Sequence, residues 1–87
     1  MLVYYTKAFE KQFSRIETKT QQRFKSRLRL FLQDQTHAML RVHALQGKYK
    51  GYWSMNVTGD VRALYREDGD TIVIFAFIGT HNQLYRK

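Results

Sequence analysis

In the first half of the chain, hydrophobic residues recur at helical spacing. A short aromatic and β-branched run at residues 2–5 predicts an edge strand, and Thr6 follows it as a candidate helix N-cap. An amphipathic helix is predicted over about residues 7–17, and its apolar face consists of Phe9, Phe13 and Ile16. A second helix is expected to be capped by Thr18 or Thr20, and its apolar stripe consists of Phe24, Leu28, Phe31 and Leu32. The two helices are predicted to form a hairpin.

In the second half, the hydrophobic pattern changes to the period of two that is typical of strands. Residues 52–57 and 61–67 alternate between apolar and polar positions, and a Thr-Gly-Asp turn separates them. An Asp-Gly hairpin signal then leads into a nearly continuous apolar strand at residues 71–78. The predicted order is β-α-α-β-β-β. This order indicates an α+β fold in which an antiparallel sheet carries the N-terminal helical hairpin on one face.

The alternation divides the predicted sheet into two faces. We expect the helices to cover the face that consists of Trp53, Met55, Val57, Val61, Ala63 and Tyr65. Asn56, Arg62 and Arg66 then point to the opposite face. This second face is expected to be open and to present its polar groups to solvent or to a ligand.

The composition indicates one small, basic domain. The 87 residues have room for one hydrophobic core, so a single domain is expected over residues 1–87. Lys and Arg number 15 against 7 Asp and Glu, which gives a formal net charge of +8. Because such an excess repels itself, a polyanion is the first candidate partner.

The chain has no cysteine, which fits a reducing compartment. The apolar run that ends at Gly79 is far shorter than the roughly 20 residues that cross a bilayer, and no signal-peptide pattern is found. We therefore expect a soluble, unprocessed, cytoplasmic protein that does not bind membranes.

Familiar catalytic motifs are missing from the sequence. It contains no phosphate-binding glycine loop, no nucleophile elbow and no zinc-binding HExxH helix. The three histidines are far apart in sequence, so a metal-free mechanism is favoured. The candidate acid, base and cationic groups lie in the second half and are His43, Lys48, Lys50, Asn56, Asp60, Arg62, Arg66, His81 and Tyr85. Such a set suits RNA cleavage through the 2′-hydroxyl, which needs a base, an acid and cations that stabilise the phosphorane.

Several of these residues also have a purely structural interpretation. A lone histidine is more often a surface or capping residue than a catalyst, and Asp60 and Asn56 flank a turn where such side chains are common. Arg62 is harder to explain in this way, because a charge inside an apolar strand must face water or a partner. On the second helix, Arg23 and Arg27 either form a solvated face or follow a phosphate backbone.

Three segments of the second half carry a resemblance to a known family: "HALQGKYKGYW", "GDVRALYR" and "FIGTHNQLY". Together they resemble the RelE superfamily of bacterial toxin-antitoxin toxins, and within it the YafQ-like branch. The likeness is close over residues 43–85, whereas the first half matches only in layout. The resemblance implies a RelE-like fold and an endonuclease that cuts mRNA on the translating ribosome, without a metal or other cofactor. It also implies an antitoxin partner.

The resemblance assigns roles to five positions of this chain. His43 and His81 look like the catalytic histidines of the family, and Asp60 looks like its acidic catalytic residue. Tyr85 resembles the aromatic residue that stacks on a base or completes the site. Arg62 looks like the strand arginine with which other RelE relatives stabilise the transition state. Contacts to RNA are expected from Lys48, Lys50, Asn56, Arg66, Arg23 and Arg27.

Two positions depart from the YafQ-like pattern. Asn56 stands where the pattern has a histidine, and an amide cannot exchange protons near neutral pH. Phe77 stands where the pattern has an arginine, and the loss of one such cation costs on the order of a hundredfold in rate. A weak activity is therefore implied unless Arg62 replaces that cation. His81 is then expected to work with Asp60 or His43.

Two classes of function remain open. The first is an mRNA interferase that associates with ribosomal RNA through its positive charge. The second is a ParE-like or degenerate toxin, or a plasmid-stabilisation relative, that binds a protein target without nuclease activity. A general RNA-binding domain is disfavoured, because no aromatic RNP-type motif lies on a strand. Both leading hypotheses predict an antitoxin whose acidic segment folds along the basic surface, in a hetero-oligomeric complex.

Overall fold

A computed structural model of the chain describes residues 1–85, so the last two residues of the predicted domain lie outside the described part. Its elements are β1 (Leu2–Tyr5), α1 (Lys7–Arg15), α2 (Thr18–Gln33), β2 (His43–Ala44), β3 (Trp53–Asn56), β4 (Val61–Asp68), β5 (Ile72–Thr80) and α3 (His81–Tyr85). Two 3-10 turns, Ala38–Leu40 and Gly47–Tyr49, lie on either side of β2. Within the described range, no helix has both the length and the apolar character needed to span a membrane.

The five strands form one sheet in the order β1-β5-β4-β3-β2. The helices carry the chain from one edge of the sheet to the other, and β2 to β5 then return strand by strand. The predicted α+β fold with a helical hairpin on one face is confirmed. Two features differ from the prediction. The two-residue strand β2 and the short helix α3 are absent from the predicted β-α-α-β-β-β order, and β1 runs parallel to β5 while the other pairs are antiparallel. A hydrophobic alternation records which residues share a face and carries no information on strand direction.

The two long helices begin differently. Thr6 caps α1 as predicted, because its hydroxyl accepts a hydrogen bond from the Phe9 N–H at 3.0 Å and donates one to the Ala76 carbonyl at 2.7 Å. The predicted cap of α2 is wrong. Glu17 is its N-cap and Thr18 is already helical, and the Glu17 side chain accepts no backbone N–H of the first turn. Its Oε1 instead accepts a hydrogen bond from the Thr20 hydroxyl at 3.3 Å.

The core between the helices and the sheet is largely aromatic. Phe24 meets Phe75 edge to face with ring centroids 5.3 Å apart, and Phe31 meets Tyr65 in the same manner at 5.1 Å. These rings pack with Phe9 of α1 and with the predicted inward-facing residues of β3 and β4. Edge-to-face pairs add stability beyond the area that they bury. This core fixes the sheet beneath the helical hairpin.

Burial raises the pKa of Tyr65 to about 12 from a usual value near 10. The unfolded chain therefore releases this proton at a lower pH than the folded chain does. The protonated Tyr65 side chain therefore contributes to the free energy of unfolding. This contribution is complete below about pH 10 and is lost as the pH rises to about 12. A shift of this size corresponds to about 2 to 3 kcal/mol.

We therefore expect Tyr65→Phe to make the free energy of unfolding fall less steeply between about pH 10 and 12, as measured by urea denaturation. Tyr4→Phe, at an exposed tyrosine of β1, is the matched control and should keep the wild-type slope. Equal slopes in wild type and Tyr65→Phe would contradict this account.

The second face of the sheet is not open, which corrects the prediction made from the alternation. Leu45, Tyr49, Leu64 and Leu84 form a second buried cluster there, and Tyr52 and Phe77 pack against it. The 3-10 turn Gly47–Tyr49 and helix α3 thus cover the middle of this face. The sequence pattern did not show this cover, because its parts are far apart in the chain. Of the polar residues predicted on this face, Arg66 is exposed and Arg62 is partly exposed.

Candidate functional site

An open cleft lies where β4 begins and β5 ends. The register pairs Arg62 with Gly79 and Val61 with Thr80, so the β3–β4 turn lies beside the start of α3. The cleft is lined by Gly59, Asp60, Arg62, Thr80, His81 and Asn82, and its volume is about 470 Å³. This volume is typical of ligand-binding clefts. Three of the five predicted catalytic residues, Asp60, Arg62 and His81, therefore lie around one space.

The β3–β4 turn holds Arg62 in place. The Thr58 hydroxyl accepts hydrogen bonds from the N–H groups of Asp60 at 3.2 Å and Val61 at 3.0 Å, which closes the turn. Nη1 of Arg62 donates to the carbonyl oxygens of Gly59 at 2.9 Å and Thr58 at 3.1 Å. A guanidinium group has five N–H donors. Those on Nε and Nη2 have no hydrogen-bond partner within residues 1–85 and remain for an anion.

His81 is the first residue of α3, and a capping box fixes that end of the helix. The Thr80 hydroxyl accepts a hydrogen bond from the Gln83 N–H at 3.2 Å, and the Gln83 side-chain oxygen accepts one from the Thr80 N–H at 2.9 Å. One turn further on, the Tyr85 ring stacks on the His81 imidazole at a centroid distance of 4.6 Å. Tyr85, the predicted aromatic residue, therefore contacts the site through His81.

Gly79 has no side chain, and the Gln83 side chain of the capping box occupies the space that a β-carbon would need. A β-carbon at this position would lie 2.9 Å from Oε1 and 3.3 Å from Cβ of Gln83. We therefore expect Gly79→Ala to displace Gln83, to break its bond to Thr80 and to cost about 1 kcal/mol. The melting temperature should fall by roughly 4 to 8 °C in thermal denaturation.

The matched control for this prediction is Gly59→Ala. A β-carbon there would meet no atom within 4 Å, so the melting temperature should change little. If Gly79→Ala had the same melting temperature as the wild type, the capping box would not need this glycine.

A basic groove continues from the cleft towards the helices. Its lining includes Arg23 and Arg27 of α2, Arg41, and the paired strand residues Asn56 and Arg62. No acidic residue is among the described residues that line it.

Arg41 was not among the residues predicted from the sequence. It precedes β2 in a left-handed backbone conformation, with φ of 47°, and no periodicity marks such a position.

His43 lies outside the lining of both the cleft and the groove. It is exposed on the edge strand β2, where it pairs with Ser54, and its Nδ1 lies 2.9 Å from the Arg41 carbonyl oxygen. Its register places it on the same face as Leu64, two strands from β4. Its catalytic role stays a prediction.

The other predicted RNA contacts are distributed unevenly. Arg66 is exposed on β4 but lies four residues from Arg62, which is about 13 Å along a strand. Lys50 is exposed after the 3-10 turn. The ammonium group of Lys48 donates a hydrogen bond to the Leu84 carbonyl at 3.2 Å, so it is engaged within the protein. Phe77 packs in the second cluster with its ring 5.5 Å from that of Tyr49.

The family model described as "Bacterial toxin of type II toxin-antitoxin system, YafQ" matches residues 1–86. The chain belongs to this family. It is therefore a type II toxin of the RelE superfamily, as the resemblance implied. The match extends through the first half of the chain, so the likeness to YafQ toxins is wider than residues 43–85.

Solved toxin structures share the fold. YafQ from E. coli strain BL21(DE3) matches with a TM-score of 0.80 at 23% identity, over 95% of this chain and 96% of that chain. The YoeB/ParE toxin from Agrobacterium tumefaciens matches with a TM-score of 0.77 at 19% identity, over 93% and 99%. The E. coli DinJ-YafQ toxin-antitoxin complex matches with a TM-score of 0.75 at 26% identity, over 95% and 94%. Among curated proteins, none matches the chain significantly.

Proposed function

We propose that this YafQ-family toxin is a ribosome-dependent mRNA endonuclease that cleaves RNA through its own 2′-hydroxyl without a metal. The observation that carries the proposal is the cleft in which Asp60, Arg62 and His81 lie together. An imidazole, a carboxylate and a guanidinium group around one space are the groups that this reaction needs. Membership of a family of type II toxins supports the same function.

The proposed reaction needs no group from outside the protein and the RNA. One proton-accepting side chain takes the 2′-hydroxyl proton, and the 2′-oxygen forms a bond to phosphorus. The bond from phosphorus to the 5′-oxygen breaks, and a second side chain gives that oxygen a proton. His81 and Asp60 supply these two proton transfers, and Arg62 stabilises the negative charge of the phosphorane. The products are a 2′,3′-cyclic phosphate and a 5′-hydroxyl end.

The basic groove supports a polyanionic substrate. Arg23, Arg27 and Arg41 extend the positive charge from the cleft along one side of the molecule. Phosphate contacts of this kind position a nucleic acid without reading its sequence. Association with the ribosome should weaken as the salt concentration rises, because binding releases counterions.

We also propose that an antitoxin binds this toxin. The related YafQ is found in the DinJ-YafQ toxin-antitoxin complex. The net charge of +8 favours a partner segment that is acidic. Such a segment would fold along the basic groove and cover it.

Primer extension on mRNA in a translating extract tests this function. The wild-type protein should produce discrete cuts inside the coding sequence that carry 5′-hydroxyl ends. A message with a single 2′-deoxy nucleotide at a mapped cut should resist cleavage there, because the nucleophile is missing. Growth arrest in cells without any cut in the message would favour the ParE-like alternative, a toxin that binds a protein target.

A further inference from the structure

Helix α3 is too short to be stable by itself. It has five residues, His81–Tyr85, whereas isolated helices shorter than roughly 12 residues are marginal in water. It nevertheless carries His81 at one end and Tyr85 at the other. The position of both rings must therefore come from contacts between α3 and the rest of the protein.

The C-terminal end of α3 is bound by two neighbouring residues of the 3-10 turn Gly47–Tyr49. The Tyr49 hydroxyl donates a hydrogen bond to the Leu84 carbonyl at 2.5 Å, and the Lys48 ammonium donates one to the same oxygen at 3.2 Å. Carbonyl groups in the last turn of a helix have no partner within the helix, and a cation there complements the helix dipole. Both donors thus satisfy the free end of α3.

Tyr49 is a rigid anchor for this contact. It is buried in the second cluster, and its ring meets Phe77 at 5.5 Å and Tyr85 edge to face at 5.2 Å. The turn that carries it is bounded by Gly47 and Gly51, whose φ angles of 65° and 94° are readily adopted only by glycine. The hydroxyl of Tyr49 is therefore held at a fixed point of the sheet face.

We infer that Lys48 and Tyr49 are positioning residues that clamp α3 and so hold the His81–Tyr85 stack at the edge of the cleft. Neither residue lines the cleft, so both act through α3. The effect on catalysis rests on the proposed function, whereas the effect on the His81 ring does not. Lys48 then serves the site from within the protein and differs in role from a phosphate-binding lysine.

Proton NMR of the histidine rings tests the clamp without any assay of activity. The chain has three histidines, and His81→Gln identifies the His81 signals by difference. In the wild type, the ring of Tyr85 stacked on His81 should shift these signals from free-histidine values. Tyr49→Phe keeps the packed ring and removes the hydroxyl, so the His81 signals should move towards free-histidine values while the other histidine signals stay unchanged. Lys48→Met should produce a smaller change of the same kind.

Tyr52→Phe is the matched control. Its ring packs against the same cluster, and its hydroxyl has no hydrogen-bond partner within residues 1–85. It should leave the His81 signals in place. His81 signals that coincide in wild type, Tyr49→Phe and Lys48→Met would overturn the clamp.

Cleavage kinetics test its catalytic consequence. In single-turnover cleavage on programmed ribosomes, Tyr49→Phe should lower the maximal rate by about 10- to 100-fold, the range expected when a catalytic group moves by about 1 Å. The half-saturating toxin concentration should stay near the wild-type value. Shifted His81 signals with an unchanged maximal rate would overturn the positioning role. Lys48→Met should also act on the maximal rate, and a change only in half-saturation and salt dependence would overturn the assignment of Lys48 to the clamp.

The endonuclease and the clamp can each be refuted without the other. A wild-type protein that cuts no message would refute the endonuclease. Movement of the His81 signals in Tyr49→Phe would still support the clamp in that case.

Discussion

His81→Gln is expected to lower the rate of mRNA cleavage by about 10²- to 10⁴-fold, the usual contribution of a positioned proton-transfer group. Glutamine keeps a polar side chain of similar size but cannot exchange a proton near neutral pH. His81 is exposed at the edge of the cleft, so the substitution buries no unpaired group and should not unfold the protein. The measurement is single-turnover cleavage on programmed ribosomes, with thermal denaturation to verify folding.

His37→Asn is a matched control for the loss of an imidazole. His37 caps the 3-10 turn Ala38–Leu40 by accepting a hydrogen bond from the Met39 N–H at 3.1 Å. Asparagine can also serve as a cap, and His37 does not line the cleft. This variant should cleave at the wild-type rate. Full activity in His81→Gln would remove His81 from the chemistry.

The sequence predicted those parts of the fold that have a strong local pattern. The helical hairpin, the strands β3 to β5 and the inward face with Met55 and Tyr65 follow from hydrophobic periods of about 3.6 and 2. Helix α3 has five residues, which is too short for such a period. The cover of the second sheet face brings Tyr49 to Leu84 across 35 positions of the chain. A local pattern cannot record a contact of that separation, so the predicted open face was wrong.

The candidate site was predictable where a turn or a motif fixed its geometry. The Thr-Gly-Asp turn precedes β4 and the Gly-Thr-His segment ends β5, which pairs with β4 in the antiparallel sense, so Asp60, Arg62 and His81 share one end of the sheet. Arg41 was not predictable, because a single residue in a left-handed conformation has no sequence period. His43 was chosen by resemblance. Its place on the edge strand depends on the pairing of β2 with β3, which two residues of strand could not indicate.

Arg62→Ala is expected to lower the cleavage rate by about 10²- to 10³-fold, comparable to the removal of one transition-state hydrogen-bond donor. The β3–β4 turn already holds the guanidinium group through Nη1, so the free donors on Nε and Nη2 need little reorganisation to meet a developing charge. In the YafQ-like pattern, a cationic residue stands at the position of Phe77. Phe77 is packed in the second cluster and cannot supply charge, so the charge of Arg62 matters more in this chain. Arg62→Lys keeps one positive charge but loses the planar fork, so it should recover only part of the rate.

The matched control for Arg62 lies on the same strand. Arg66 carries the same charge but is exposed, about 13 Å further along β4. Arg66→Ala removes one unit of charge from the molecule and should weaken ribosome association and its salt dependence slightly, while the maximal cleavage rate stays near the wild-type value. If Arg62→Ala and Arg66→Ala lost equal activity, the contribution of Arg62 would be net charge alone. If only Arg62→Ala lost the maximal rate, the loss would be specific to the guanidinium group that the turn holds at the cleft.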